Sequence, residues 1–158
     1  MQALVRPRCV TQSALMKISA KAEYACLAVL ELALRHDRGE TVRLTEIAQP
    51  NEIPERFLVQ ILLQLKGAGY VNSVRGAGGG YRLAVAPNQM TLWDVVRAID
   101  GPAAPDRNDA VRNRGIGRAV LREVWHEANR REQQFLMETD IAALVERARR
   151  QSPDMYYI

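Results

Sequence analysis

The fold is indicated most clearly by residues 54–85, which read PERFLVQILLQLKGAGYVNSVRGAGGGYRLAV. Residues 54–66 place apolar side chains at a spacing of three and four, which is typical of one buried face of an α-helix. The initial proline suits the first turn of a helix, and the glycines that follow favour its end. Residues 70–74 and 81–85 then alternate at a period of two, with a glycine-rich turn between them. The pattern therefore predicts a helix followed by a β-hairpin.

Two further helices are predicted before this stretch. Residues 17–35 contain no glycine or proline and carry a wide apolar stripe, with Ser19 as the candidate cap of the first turn. A short helix is predicted at 44–48, with Thr45 as its candidate cap, and Pro50 marks a break before the next helix. Three helices followed by a hairpin form a winged helix-turn-helix. The predicted fold class is therefore mainly α with a small β-hairpin.

The residues after the hairpin are also predicted to be largely helical, with Thr91 as the candidate cap of a short connecting helix. A long helix from about 117 to 138 carries a narrow apolar stripe, which favours pairing with another helix over burial in a compact core. We divide the chain into a disordered arm or over-called start at 1–15, a winged helix-turn-helix domain at 16–86, a connecting helix at 87–102, a loop at 103–116, dimerisation and C-terminal helices at 117–150, and a tail at 151–158.

Composition and charge restrict the class of protein. The 158 residues are 47% hydrophobic and 25% charged, as in ordinary globular domains. No apolar run is long enough to cross a membrane, and the first residues lack the apolar core of a signal peptide, so a cytoplasmic location is expected. The net charge of +4 comes from 22 Lys and Arg against 18 Asp and Glu. Residues 86–158 contain 11 of each, so the whole excess lies in the first 85, which suits a polyanionic partner.

Several segments resemble the Rrf2 family of bacterial winged-helix transcription regulators. The resemblance begins at 16–25 (MKISAKAEYA), continues through 57–71, and is strongest at 73–84 (SVRGAGGGYRLA). It extends through 94–101 and the later helices, so that it covers about residues 16–148. Membership would imply a homodimer whose long helices cross at the two-fold axis. It would also imply binding to double-stranded pseudo-palindromic operators, with recognition helices in major grooves and wings in flanking minor grooves.

The resemblance makes helix 54–66 the recognition helix. Arg56 can bind the O6 and N7 atoms of guanine, and Gln60 can bind adenine in the same bidentate way. Glu55 and Phe57 lie near the same end and are candidate contacts, although Phe57 also suits a half-buried position. The alternative for these polar side chains is an ordinary solvated surface. Val59 replaces an acidic residue that is common in the family, so we expect a different operator sequence.

The wing and the first helix supply the remaining candidate contacts. Arg75 stands at the root of the wing, where an arginine can enter a narrow minor groove. Gly78 and Gly79 would permit positive-φ turns and a close approach of the backbone to phosphate. Ser19 and Lys21 could hold a phosphate at the start of the first helix, with capping and solvation as the alternative. A nucleotide-binding phosphate loop is disfavoured because a strand, not a helix, follows the glycines.

Cofactors are not predicted. Cluster-binding members of the family carry three cysteines in the loop before the long helix, whereas the loop at 103–116 contains neither Cys nor His. The two cysteines, Cys9 and Cys26, have no metal-ligand spacing, and the two histidines are far apart in sequence. We therefore expect a regulator that does not depend on an iron–sulfur cluster and that acts as a repressor.

Three alternatives remain open from the sequence. The chain could be an effector- or redox-responsive sensor, either through Cys26, for which a buried inert thiol is favoured, or through an anionic effector at 103–116. It could respond to a partner protein. It could also be a protein-interaction module that retains the fold without binding an operator. No paired carboxylates, nucleophile with a base or metal triad can be recognised, so no enzymatic activity is predicted.

Overall fold

The structure is a computed structural model that describes residues 18–102 and 115–151. The described elements are, in order, α1 (Ala20–Leu34), a 3-10 turn (His36–Arg38), α2 (Leu44–Ala48), α3 (Glu55–Gly67), β1 (Val71–Val74), β2 (Gly80–Leu83), a second 3-10 turn (Pro87–Gln89), α4 (Leu92–Asp100), α5 (Ile116–Glu138) and α6 (Ile141–Gln151). This order confirms the predicted fold class of a mainly α chain with a winged helix-turn-helix. The predicted arm at 1–15, most of the loop at 103–116 and most of the tail lie outside the described residues.

The core is built around α1, which packs against α3, α4, α6 and β2. Its buried face is rich in alanine, and Ala22, Ala25 and Ala28 are each 0% exposed. Such small side chains let neighbouring helices approach closely. The helix α3 contributes larger side chains, all fully buried: Leu58, Ile61, Leu62 and Leu65. Burial of each stabilises the fold by about 1.5–3 kcal/mol relative to an exposed position, so α3 is held firmly with one face inward.

The hairpin is antiparallel and is attached to the helical body through a third segment. β1 pairs with β2 in a register that places Val71 opposite Leu83 and Val74 opposite Gly80. Val42, just before α2, exchanges two backbone hydrogen bonds of 2.8 Å with Tyr81. Because Val42 is itself buried, this pairing fixes the hairpin against the helix-turn-helix.

Two predicted helix caps are confirmed. The Ser19 hydroxyl accepts a hydrogen bond from the Ala22 backbone N–H at 3.0 Å at the start of α1. The Thr91 hydroxyl accepts one from the Asp94 N–H at 3.2 Å at the start of α4. An N-cap of this kind contributes about 1 kcal/mol, because it satisfies an amide that has no partner within the helix.

The short helix α2 has the predicted bounds, but its predicted cap is wrong, and α3 begins one residue later than predicted. α2 begins at Leu44 with Arg43 as its N-cap residue, so Thr45 lies inside the helix and does not cap it. The Glu46 carboxylate instead accepts a hydrogen bond from the Arg43 N–H at 2.8 Å. α3 begins at Glu55, and Pro54 is the N-cap with an extended ψ of 124°. Its fixed φ and missing N–H suit this position as well as the first turn.

The C-terminal helices differ sharply in how much of their surface is buried. α6 returns to the core through Ile141 and Val145, which are 0% and 5% exposed. α5 has 23 residues, of which Leu136 is the one buried residue within this helix. None of the helices in residues 18–102 and 115–151 combines the length and apolar character that crossing a membrane requires.

Candidate nucleic-acid interface

The exposed face of α3 carries the side chains that were predicted to read bases. Glu55, Arg56 and Gln60 are all exposed, and Phe57 is 51% exposed. At about 100° per residue, Arg56 and Gln60 project almost directly away from the buried face of α3. Phe57 lies nearer the edge of that face, in agreement with the expectation that its side chain is half-buried. Arg56 and Gln60 are therefore presented together on one outward side of the helix, and Glu55 is exposed on its flank.

The turn between α2 and α3 sets the angle at which this face is presented. The Asn51 side-chain amide donates to the Ile47 carbonyl at 2.9 Å and to the Glu31 carboxylate at 3.2 Å. Glu52 takes a left-handed φ of 52°, which reverses the chain before Ile53 enters the core. Asn51 thus links the turn to α1 and fixes the start of α3 relative to the body.

The wing is the loop from Arg75 to Gly79 together with the strand ends that it joins. Gly76 has a φ of 104°, so the wing does contain a positive-φ turn, but Gly78 and Gly79, which were predicted to permit such turns, do not have a positive φ. The Gly79 N–H donates to the Gly76 carbonyl at 2.9 Å and closes the turn. Arg75 is exposed at the root of the wing, and its predicted contact with a minor groove stays a prediction.

The glycines at the end of the wing are explained by packing within the hairpin. A Cβ on Gly79 would lie 2.7 Å from the carbonyl oxygens of Gly76 and Val74, and one on Gly80 would lie 2.5 Å from the Val42 carbonyl oxygen. Gly78 has no atom within 4 Å of such a Cβ. The absence of a side chain at Gly79 is therefore required by neighbouring backbone, a simpler reason than the predicted approach to phosphate.

Two side chains that the sequence patterns did not single out hold the wing in place. The Thr41 hydroxyl donates to the Gly78 carbonyl at 2.6 Å and links the wing to the segment before α2. The Lys66 ammonium, in the last turn of α3, donates to the Ser73 hydroxyl at 2.7 Å. Thr41 and Gly78 are 37 positions apart in the sequence, and Lys66 and Ser73 are 7 positions apart. Both contacts depend on the tertiary fold, so no local pattern could have identified them.

The structure gives Ser19 a partner other than phosphate. Its hydroxyl donates to the Asp100 carboxylate, and its backbone N–H donates to the same group at 3.2 Å. A carboxylate thus occupies the N-terminus of α1, where a phosphate would otherwise be expected to bind. This arrangement favours the capping alternative for Ser19. Lys21 is half-buried nearby and stays a predicted backbone contact.

Cys26 lies on α1 in a partly buried position packed against the core. Burial, together with the negative charges of Glu23 and Asp100, raises the pKa of the Cys26 thiol to about 11. A thiol with so high a pKa is almost entirely protonated near neutral pH, and the protonated form is a poor nucleophile and a poor metal ligand. Among the described residues no group of three or more His, Cys, Asp or Glu side chains is arranged to hold a metal ion.

A helix-turn-helix whose second helix exposes polar side chains, attached to a glycine-rich hairpin, defines the class of winged-helix DNA-binding regulators. Within this class the chain belongs to the Rrf2 family, described as iron-dependent transcriptional regulators, whose sequence profile matches residues 18–147. The family resemblance inferred from the sequence is thereby confirmed.

Individual relatives agree with this assignment. The chain is 43% identical over 90 residues to the HTH-type transcriptional regulator CymR of Bacillus subtilis, covering 57% of this chain but 64% of CymR, less than two thirds of its length. It is 32% identical over 136 residues to the regulator IscR of Vibrio campbellii, covering 82% of this chain and 77% of IscR. The solved structure of CymR, the global cysteine regulator of B. subtilis, matches with a TM-score of 0.72 at 32% identity, covering 83% of this chain and 97% of that chain. These relatives are transcriptional regulators, not enzymes.

Proposed function

We propose that this chain binds operator DNA in a sequence-specific manner and represses transcription. The observation that carries the proposal is the joint exposure of Arg56 and Gln60 on α3 and of Arg75 on the adjacent wing. The first two side chains suit guanine and adenine in a major groove, and the third suits a narrow minor groove. Two hydrogen bonds support the proposal, because Lys66 ties the hairpin to α3 and Thr41 ties the wing to the segment before α2.

The active form is proposed to be a homodimer that pairs through α5. Ile116, Val120 and Val124 follow one another at a spacing of four residues and are 86%, 53% and 53% exposed. Phe135, further along the helix, is 62% exposed. Contiguous apolar surface of this kind usually marks an interface, and two copies related by a two-fold axis can cover each other with the same face. A two-fold dimer accounts for the proposed pseudo-palindromic operator.

Binding is proposed not to depend on an iron–sulfur cluster, although the family as a whole is described as iron-dependent. Such clusters are held mainly by cysteine thiolates, usually three or four from one chain. This chain contains two cysteines, Cys9 and Cys26, and residues 103–116 contain none. The raised pKa of Cys26 further disfavours its use as a thiolate ligand or a redox switch. The available residues therefore do not fit a cluster of the family type.

The DNA-binding proposal is tested with an operator selected from genomic fragments by the purified protein. Arg75→Ala should weaken operator binding by about 1–3 kcal/mol, because one groove contact is lost. Arg147→Ala is the matched control, because Arg147 is exposed on α6 and its substitution removes the same charge outside the proposed interface. We expect the control to bind within about 0.5 kcal/mol of the unsubstituted protein. Equal losses for the two variants would mean that only total charge matters and would contradict sequence-specific binding.

The dimer proposal is tested by sedimentation of α5 variants. Val124→Asp places a charge in the proposed interface and should yield monomers that bind the operator weakly. Val124→Ile keeps the surface apolar and should remain dimeric. A dimeric Val124→Asp protein with full operator affinity would contradict pairing through this face.

A further inference from the structure

The outward face of α3 carries exposed apolar side chains among its polar ones. Leu63 is 68% exposed and Val59 is 47% exposed. The two residues are four positions apart and are therefore neighbours on the helix surface. Seven residues separate Arg56 from Leu63, which places them within about 20° of each other around the helix. Leu63 thus lies almost in line with Arg56, and Val59 lies about 60° from Arg56 on the flank of the same outward face.

Neither the stability of α3 nor the core of the protein accounts for these two side chains. The buried face of α3 is already complete, because four other apolar residues of the helix are each 0% exposed. Valine is also a poorer helix former than the polar residues that usually occupy exposed positions. An apolar side chain here gains burial only when something docks against this face.

We infer that Val59 and Leu63 contact the C5-methyl groups of thymines in the major groove of the operator. This inference rests on the proposed function. Among the base edges of unmodified DNA, the thymine methyl is the apolar group that the major groove offers to such a side chain. The methyl contacts would complement the hydrogen bonds from Arg56 and Gln60, so that one face of α3 distinguishes thymine from cytosine as well as guanine from adenine.

The length of the helix relates these contacts to positions in the operator. At 1.5 Å per residue, Arg56 and Leu63 are about 10 Å apart along the axis of α3, which corresponds to about three base-pair steps. An α-helix fits within the major groove, which is about 12 Å wide. We therefore expect a thymine about three base pairs from the guanine bound by Arg56 in each half-site.

The test replaces single thymines of the selected operator with deoxyuridine, which removes the methyl group and keeps every hydrogen-bonding atom. The unsubstituted protein should bind about fourfold more weakly for each contacted methyl removed, the factor that corresponds to burial of one CH₂ group. Leu63→Ala should bind the thymine and deoxyuridine operators equally at the position that Leu63 contacts. Gln64→Ala is the matched control, because Gln64 is an exposed neighbour about 100° further round the helix, and it should keep the fourfold preference.

The possible results separate this inference from the proposed function. If the unsubstituted protein distinguishes its operator from random DNA but binds every deoxyuridine operator as tightly as the thymine operator, the methyl contacts are overturned and DNA recognition stands. If Leu63→Ala weakens binding to both operators by the same factor, Leu63 contacts something other than the methyl and the inference is also overturned. If no sequence is preferred over random DNA, both the inference and the proposed function fail. Thermal unfolding of Leu63→Ala provides the folding control, and little change is expected because Leu63 is exposed.

Discussion

Gly80→Ala should loosen the attachment of the wing to the helical body. In the native backbone the new Cβ would lie 2.5 Å from the Val42 carbonyl oxygen and 2.8 Å from its carbonyl carbon. An ordinary van der Waals contact begins at 3.4 Å, so the two segments must separate by about 0.9 Å. The obstructing atoms belong to the backbone and cannot move aside by changing a rotamer. The separation instead strains the two 2.8 Å hydrogen bonds between Val42 and Tyr81.

The size of the effect follows from these contacts. Loss of two backbone hydrogen bonds, or overpacking of a well-ordered contact, costs about 1–3 kcal/mol. Gly80 also has a φ of 158°, which residues with a Cβ rarely adopt, so the gain that alanine gives by lowering the entropy of the unfolded chain is offset here by backbone strain. The free energy of unfolding of Gly80→Ala should therefore fall by about 1–3 kcal/mol. Affinity for the operator should fall as well, because the wing that carries Arg75 is no longer held in position.

Urea unfolding followed by tryptophan fluorescence measures the first quantity, and operator titration measures the second. Gly78→Ala is the matched control, since a Cβ at Gly78 meets nothing within 4 Å and the residue does not have a positive φ. Its stability should be unchanged or slightly higher than that of the unsubstituted protein. A Gly80→Ala protein with the stability and operator affinity of Gly78→Ala would refute this explanation of the wing glycines.

Three further predictions concern single side chains. Thr41→Val removes the hydrogen bond to the Gly78 carbonyl and should lower operator affinity about three- to tenfold, with recovery in Thr41→Ser; equal affinities of the two variants would contradict a role for the hydroxyl. Ser19→Ala loses both the cap of α1 and the contact with Asp100 and should lower the free energy of unfolding by about 1 kcal/mol; an unchanged urea midpoint would contradict it. Because the pKa of Cys26 is raised to about 11 from 9.0, native protein at pH 8 should react with a thiol reagent about a hundredfold more slowly than urea-unfolded protein. The same shift means that the stabilising contribution of the neutral thiol is present below pH 9 and is lost as the pH rises towards 11, and equal labelling rates in the two states would contradict the shift.

Local patterns in the sequence correctly predicted α3 and the two strands. The conformation of these elements follows from the spacing of their own apolar side chains, which can be read directly from the sequence. Ser19 and Thr91 were also predicted correctly as caps, because their side chains reach amides within three residues. The helix at 44–48 was predicted correctly, but its cap at Thr45 was not, because Arg43 is the N-cap residue and its N–H donates to the Glu46 carboxylate. A short helix offers too few residues for the pattern to decide its first turn.

Contacts between distant segments could not be predicted in this way. Asp100 lies 81 residues from Ser19, and Thr41 lies 37 residues from Gly78. The pairing of Val42 with Tyr81, which explains the glycine at position 80, likewise depends on the packed hairpin. These contacts determine whether a polar side chain is free to contact DNA or is already hydrogen-bonded within the protein. Candidate DNA contacts chosen from residue type alone therefore included Ser19 and missed the structural roles of Thr41 and Lys66.

Cluster-independent operator binding is tested most directly by titrating purified protein, with its iron content measured, against the selected operator and against a scrambled duplex at two salt concentrations. Protein without iron should bind the operator at least a thousandfold more tightly than the scrambled duplex, and this preference should persist at the higher salt concentration. An equal, strongly salt-dependent affinity for both duplexes, or a preference that appears only after iron is restored, would contradict cluster-independent operator binding.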